Sequence, residues 1–165
     1  GNGLGSDAFA ILHDGKGLHG LNASGPAPAA WTPERFAGRR EMPERGWESV
    51  TVPDAVSAWT ALSARFGKLP FEALFEPAVS HARDGFAVTP VIAQLWAKAV
   101  SSLGDQPGFA EAFLPNGRAP VAGELYRNAD LAHSLRRIAE TRGEAFTGAS
   151  WPNGSRPSLP NTVQP

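Results

Sequence analysis

Glycine and proline interrupt this chain so often that its helices and strands must be short. The 165 residues include 18 glycines and 15 prolines. Glycine raises the entropic cost of ordering a helix or strand, and proline removes a backbone hydrogen-bond donor. The hydrophobic share of 42% is nevertheless sufficient for a packed core. We therefore expect one α+β domain of ordinary size, in which strands and several short helices are separated by many loops.

The charge balance and the residue usage exclude several kinds of partner and chemistry. Fifteen Lys and Arg residues against sixteen Asp and Glu residues leave a net charge of −1, which creates no field to attract nucleic acid or an anionic membrane. The absence of cysteine excludes disulfides and thiol nucleophiles. No apolar run approaches the roughly 18 residues that cross a bilayer. We expect neither a nucleic-acid partner nor a membrane partner.

The first third of the chain is expected to begin with a β-hairpin. Residues 7–13 and 18–21 are apolar runs joined by the Asp14-Gly15 pair, which favours a type I′ turn. Residues 32–38 predict a short helix that ends at a glycine. The alternating, β-branched residues 48–53 predict a further strand.

Four longer helices are predicted in the remainder of the chain, at residues 54–66, 70–83, 89–102 and 128–139. Pro77 is expected to kink the second helix or to split it. Apolar side chains recur at helical spacing in all four. The positions expected to face inward are Val56, Trp59, Leu62, Phe66, Phe71, Leu74, Phe75, Ala78, Val79, Ala82, Val91, Leu95, Trp96, Leu131, Leu135, Ile138 and Ala139.

Both ends of the chain are unusual. The start GNGLGSDAF lacks a methionine and is rich in glycine, which indicates a piece of a longer protein. Residues 149–165 are rich in Pro, Ser and Asn and contain four prolines. This composition predicts an extended or disordered tail.

The reactive side chains do not form a complete active site in this sequence. The four histidines share no metal-ligand spacing, so we expect neither a metal nor a cofactor. No G-x-S-x-G elbow is present. The spaced glycines at the start precede a strand, which favours a tight chain reversal over a dinucleotide site. The arginines of residues 35–45 alternate with glutamates, and such a run either binds a carboxylate or forms a self-compensating surface loop.

Four stretches of the sequence, taken in order, resemble the large-subunit region of the gamma-glutamyltransferase family. They read GNGLGSDAFAILHDGK, GLNASGPAPAAWTPERF, SVTVPDAVSAWTALSARFGKLPFEALFEPAVSHARDGFAVTP and FLPNGRAPVAGELYRNADLAHSLRRIAETRGEAFTG. The resemblance covers residues 1–148 as a partial large-subunit region, and residues 149–165 lie outside the pattern. The most specific part is the VTVP-x-AV run followed by RFG-KLP and ARDGF.

The resemblance implies a fragment of an αββα N-terminal-nucleophile hydrolase of glutathione metabolism, made as an autoprocessed precursor. In such enzymes the N-terminal threonine of the small subunit attacks an amide, with its own α-amino group as the base. Water or an acceptor amine then resolves the acyl-enzyme. The implied partners are that small subunit and a small amide substrate. No catalytic residue is expected in this chain, which alone should be inactive.

The resemblance also implies a carboxylate-binding arginine near residues 24–28, where this sequence has none. We therefore expect Asn22 and Ser24 to bind substrate, with Arg39 and Arg40 as candidate replacements for that arginine. Weak recognition of a γ-glutamyl group would favour oxamate-type or cephalosporin-type amides. A non-catalytic scaffold or interaction module, or a truncated family member, is the alternative reading.

Overall fold

The computed structural model describes residues 3–147, and these residues form two compact units. One unit contains residues 3–71 and 138–147, and the other contains residues 72–137. The predicted tail at residues 149–165 lies outside the described residues. Within residues 3–147 no helix is long and apolar enough to cross a membrane.

The first unit opens with the predicted hairpin. Strand β1 (Ala8–His13) pairs antiparallel with strand β2 (Leu18–Ala23). The turn differs from the type I′ prediction, because its central residues are Gly15 and Lys16 and Gly15 has the positive φ, 92°. The Asp14 carboxylate stabilises this turn, since its Oδ1 accepts the Lys16 and Gly17 N–H groups, both at 2.8 Å.

The predicted strand at residues 48–53 is wrong. A 3₁₀ turn (Trp47–Ser49) occupies its start, and an extended segment follows. The Val52 N–H donates to the Pro26 carbonyl at 3.0 Å. Pro26 has no N–H to return a second bond, so a strand ladder cannot continue past this point. Residues 48–53 have the β-branched composition of a strand, but the segment beside them is a proline-rich loop and not another strand.

Helix α1 (Ala55–Phe66) lies against the hairpin and matches its predicted bounds. Its start is the most buried part, with Ala55 and Val56 fully enclosed. A second 3₁₀ turn (Pro33–Phe36) takes the place of the short predicted helix. The last helix, α6 (Glu144–Thr147), follows Gly143, whose φ is 86°.

The second unit contains the proline-split helix. A 3₁₀ turn (Glu72–Leu74) precedes helix α2 (Glu76–Asp84), so Pro77 lies in the first turn, where its missing N–H is not needed. Phe75, at the junction, is buried with 7% of its surface exposed, as expected. Leu74 is 46% exposed, which corrects the inward orientation predicted for it. The break rotates this residue away from the stripe that a continuous helix would have formed.

Two short strands that were not predicted, β3 (Phe86–Ala87) and β4 (Leu125–Tyr126), pair antiparallel in the same unit. Helix α3 (Pro90–Leu103) follows its N-cap Thr89 as predicted. Helix α4 (Phe109–Phe113) lies between the helices predicted at residues 89–102 and 128–139.

Aromatic packing decides which face of α3 is inward. The Trp96 and Tyr126 rings meet edge to face with centroids 4.7 Å apart, and the Trp96 Nε1–H donates to the Phe113 carbonyl at 2.9 Å. Val91 and Leu95, which were predicted to face inward, are exposed. Of the three residues of α3 that were predicted to face inward, Trp96 is therefore the one that packs against its neighbours.

Helix α5 (Ala129–Thr141) runs from the second unit into the first. Asn128 caps it, because its Oδ1 accepts the Leu131 N–H at 2.8 Å. Leu135, Ile138 and Ala139 are buried as predicted. The Leu131 side chain is exposed, which corrects the predicted stripe by one position.

Candidate substrate-binding loop

Asn22 and Ser24 come together at the end of β2. Asn22 lies on the exposed face of the strand, and its Oδ1 accepts the Ser24 N–H at 3.0 Å. The residue between them, Ala23, is buried and anchors the strand end. Since Oδ1 is engaged, the Nδ2 amide is the part of Asn22 that can donate to a ligand.

Gly25 fixes the path of the loop that follows. Its φ is 63°, and a Cβ added there would collide with the Val52 carbonyl oxygen. The Val52 N–H in turn donates a hydrogen bond to the Pro26 carbonyl. The loop at residues 24–28 therefore lies directly against the segment that leads into α1, and only a residue without a side chain fits at position 25.

The residues just before β1 support the same segment. The Thr51 hydroxyl donates to Asp7 Oδ1 at 3.1 Å, and the Ala55 N–H donates to the Ser6 carbonyl at 3.0 Å. Gly3 and Ser6 close a tight reversal through two mutual hydrogen bonds. This arrangement agrees with the chain-reversal interpretation of the starting glycines, although Gly1 lies outside the described residues.

Arg39 is paired with a carboxylate of its own unit. Its Nη1 lies 2.6 Å from Glu48 Oε2, and Arg35 contacts the other oxygen of Glu48 at 3.2 Å. The Arg35 guanidinium also covers the Trp31 ring at 4.4 Å. Glu48, which lies outside residues 35–45, thus pairs with two arginines of this loop.

Arg40 is exposed and forms no ion pair with any residue of the described range 3–147. Within that range, neither Arg39 nor Arg40 hydrogen-bonds to Asn22 or Ser24. Of the four predicted substrate residues, Asn22 and Ser24 are therefore hydrogen-bonded to each other, and Arg39 is paired with Glu48. The role of Glu48 was missed because it lay in a predicted strand, and its partners are nine and thirteen residues away.

A separate groove of about 300 Å³ lies in the second unit, lined by Ile92, Leu95, Trp96, Ala99, Phe109 and Phe113. All six side chains are apolar or aromatic, and the indole N–H is already bonded to a carbonyl. The groove offers no group that could act as an acid, base or nucleophile. Among the described residues, no group of three His, Asp or Glu side chains could hold a metal ion.

The comparisons with known proteins place this arrangement in a family. The family profile described as gamma-glutamyltranspeptidase matches residues 1–148. The chain belongs to the gamma-glutamyltranspeptidase family. The identification made from the sequence motifs is confirmed, and so is the mixed helix-and-strand fold expected of a partial N-terminal-nucleophile hydrolase.

Members of the gamma-glutamyltranspeptidase family with several different activities are similar to this chain. The glutathione hydrolase-like YwrD proenzyme of Bacillus subtilis is 34% identical over 147 residues, which cover 87% of this chain and 28% of that protein. The oxamate amidohydrolase proenzyme of Klebsiella pneumoniae is 35% identical over 153 residues, covering 88% of this chain and 29% of that protein. This chain therefore spans less than a third of these gamma-glutamyltranspeptidase-family relatives.

A crystal structure supports the same fold. The cephalosporin acylase from Bacillus halodurans superimposes with a TM-score of 0.80 at 43% identity, covering 88% of this chain and 29% of that one. Acylases and amidohydrolases are thus as similar to this gamma-glutamyltranspeptidase-family chain as the glutathione hydrolases are. The two relatives named above are proenzymes, which agrees with the expected autoprocessed precursor.

Proposed function

We propose that this chain is part of the large subunit of an amide-cleaving enzyme that forms an acyl-enzyme on a threonine outside the chain. Residues 1–148 would form the partial large-subunit region, and residues 149–165 would lie outside it. The new N-terminal threonine of a small subunit would attack the amide carbonyl, and its α-amino group would accept the hydroxyl proton. Water or an amine would then release the acyl group.

The observation that carries this proposal is the exposed apolar face of the hairpin. One face of the two strands lies against α1. The opposite face exposes Phe9, Ile11 and Leu18, which are 68%, 82% and 68% accessible. An exposed apolar patch of this kind marks an interface. Further polypeptide of the parent enzyme would cover it.

Asn22 and Ser24 would bind the acyl portion of the substrate. The hydrogen bond to Ser24 orients the Asn22 amide so that Nδ2 can donate to a carbonyl or carboxyl oxygen. This donor carries no charge, and a single hydrogen bond from it is weaker than the bidentate, charge-assisted pair that an arginine forms with a carboxylate. We therefore propose a preference for oxamate-type or cephalosporin-type amides over γ-glutamyl amides, and the names of two similar proteins support that preference.

Arg39 and Arg40 differ in how readily they could bind a substrate carboxylate. Arg39 would have to leave Glu48, which lies 2.6 Å away, before it could bind a substrate. Arg40 is exposed and pairs with no carboxylate within residues 3–147, so it has no such bond to break. Arg40 is therefore the better candidate for a substrate contact in the assembled enzyme.

Mass spectrometry of the full-length natural product tests the proposed precursor directly. We expect two polypeptides, of which the smaller begins with threonine. A single unprocessed polypeptide with no such threonine would contradict the proposal. It would instead favour a non-catalytic scaffold module, the second candidate, which the neutral substrate loop and the Glu48-bound arginines support.

The exposed hairpin face can be tested on the chain itself by light scattering. We expect the purified chain to self-associate, and Ile11→Thr to reduce the association because it removes the most exposed apolar side chain of the face. Leu12→Thr is the matched control, since Leu12 lies on the face toward α1. It should lower stability without removing the exposed patch.

A further inference from the structure

His19 lies between two groups of opposite charge that come from different elements. Its Nε2 is 2.9 Å from Asp14 Oδ2 in the hairpin turn, and its Nδ1 is 3.2 Å from Arg65 Nη2 near the end of α1. The imidazole also packs on the Phe66 ring, with centroids 5.1 Å apart. The three polar side chains therefore form one continuous chain of hydrogen bonds between the turn and the helix.

The chemistry of the partners fixes the proton on the imidazole. A guanidinium can only donate hydrogen bonds, so the bond from Arg65 requires an unprotonated Nδ1. The single ring proton must then be on Nε2, which donates to Asp14. A neutral ring with its proton on Nε2 is the state that satisfies both neighbours.

Asp14 is held in place independently of His19. Its Oδ1 accepts the Lys16 and Gly17 N–H groups, and its backbone N–H donates to the Gly17 carbonyl. These backbone N–H groups, together with His19, lower the pKa of Asp14 to about 2. Asp14 therefore stays ionised while an imidazole titrates, and the acceptor for Nε2–H does not change.

We propose that His19 is a positioning residue and a pH-sensitive latch, which holds the hairpin turn on the end of α1 when neutral and releases Arg65 when protonated. A proton from solvent would bind the Nδ1 lone pair. The Arg65 N–H···Nδ1 bond would break because two donors then face each other. The Nε2–H···Asp14 bond would remain as an ion pair.

The groups that face His19 act in opposite directions. Asp14, from the turn, favours the protonated ring, and Arg65, from α1, disfavours it. His13 belongs to the outward face of β1, and its Nδ1 accepts the Gly15 N–H instead.

The latch matters for function because β2 joins His19 to the substrate loop. Asn22 and Ser24 follow His19 in the same strand and its continuation. Release of Arg65 would remove one polar link between α1 and the strand that leads to these two residues. This consequence rests on the proposed function, whereas the latch itself does not.

Nitrogen-15 NMR of the imidazole rings in the full chain tests the latch without any activity. We expect the Nε2–H tautomer of His19 at pH 8, and faster exchange of the Arg65 side-chain N–H protons at pH 5. In Arg65→Gln the midpoint of the His19 titration should move to higher pH by about half a unit or more, because a positive neighbour is lost. In Asp14→Asn it should move to lower pH.

Arg83→Gln is the matched control, since Arg83 pairs with Asp84, and it should leave the His19 titration unchanged. An Nδ1–H tautomer at pH 8, or an unchanged midpoint in Arg65→Gln, would overturn the latch. In the assembled enzyme, Arg65→Gln should also shift the acid side of the kcat/KM profile. A profile that does not shift would overturn the link to the substrate loop, whereas the absence of all turnover would count against the proposed function.

Discussion

Phe9 and Asn22 lie directly opposite each other on the two strands of the hairpin, and both face away from α1. Directly paired residues in an antiparallel sheet have Cβ atoms about 4.5–5.5 Å apart. The exposed apolar face thus extends to the residue that we propose binds substrate. Polypeptide that covers this face would therefore also contact Asn22.

The loop at residues 24–28 should depend on the glycine at its bend. Gly25→Ala is expected to destabilise the chain, because the new Cβ would meet the Val52 carbonyl oxygen and φ is positive. Gly38→Ala is the matched control, since Gly38 also has a positive φ but has open space around it. The control should cost about 1 kcal/mol, and Gly25→Ala at least about 1 kcal/mol more, measured by urea unfolding. Equal losses would show that the close approach to Val52 is unimportant.

The junction before α2 should respond unequally at two adjacent positions. Phe75→Ala should lower the free energy of unfolding by about 3–5 kcal/mol, because Phe75 is buried. Leu74→Ala should cost less than about 1 kcal/mol, because its side chain is largely accessible. Comparison of the two urea midpoints tests the helix break directly. A greater loss of stability at Leu74 would contradict the break and support one continuous helix with an inward-facing Leu74.

Introducing an arginine into the substrate loop should change substrate preference in the assembled enzyme. Pro26→Arg is expected to raise kcat/KM for a γ-glutamyl amide roughly tenfold or more, because a guanidinium can form a charge-assisted pair with the α-carboxylate. The Pro26 carbonyl that accepts from Val52 would be retained. Pro26→Gln is the control for size without charge. If neither this variant nor Ser24→Arg exceeds the parent, the carboxylate is bound elsewhere.

The hairpin turn should lose stability in strong acid. The pKa of Asp14 is lowered to about 2 from 3.8, so its contribution is fully present above about pH 4 and is lost as the pH falls through 2. Asp14→Asn should therefore destabilise the chain at pH 6, and the difference from the parent should shrink toward pH 2. A difference that stays constant between pH 6 and pH 2 would show that charge has no part in it.

The hairpin, the start of α5 and the break before α2 were predicted correctly from short sequence motifs. The Asp14-Gly15 pair marked the hairpin, Asn128 marked the start of α5, and Pro77 marked the break before α2. Caps, turns and proline breaks are decided within a few residues of sequence, so they can be read from the chain directly.

The errors arose where a distant residue decides the outcome. Residues 48–53 have a strand pattern, but their neighbour is Pro26, which cannot extend a ladder. The short strands β3 and β4 contain two residues each, too few to give a periodic signal. In the substrate loop, the closeness of Asn22 and Ser24 follows from sequence, whereas the pairing of Arg39 with Glu48 required the three-dimensional path of the loop.

The most direct test of the account compares this chain alone with this chain assembled with the remainder of its parent enzyme. Each preparation would be incubated with oxamate, a cephalosporin-type amide and γ-glutamyl-p-nitroanilide, and release of product would be followed. The account predicts no turnover by the chain alone, and turnover by the assembled enzyme with oxamate or the cephalosporin-type amide preferred. Turnover by the purified chain alone would contradict the central claim that the nucleophile lies outside it.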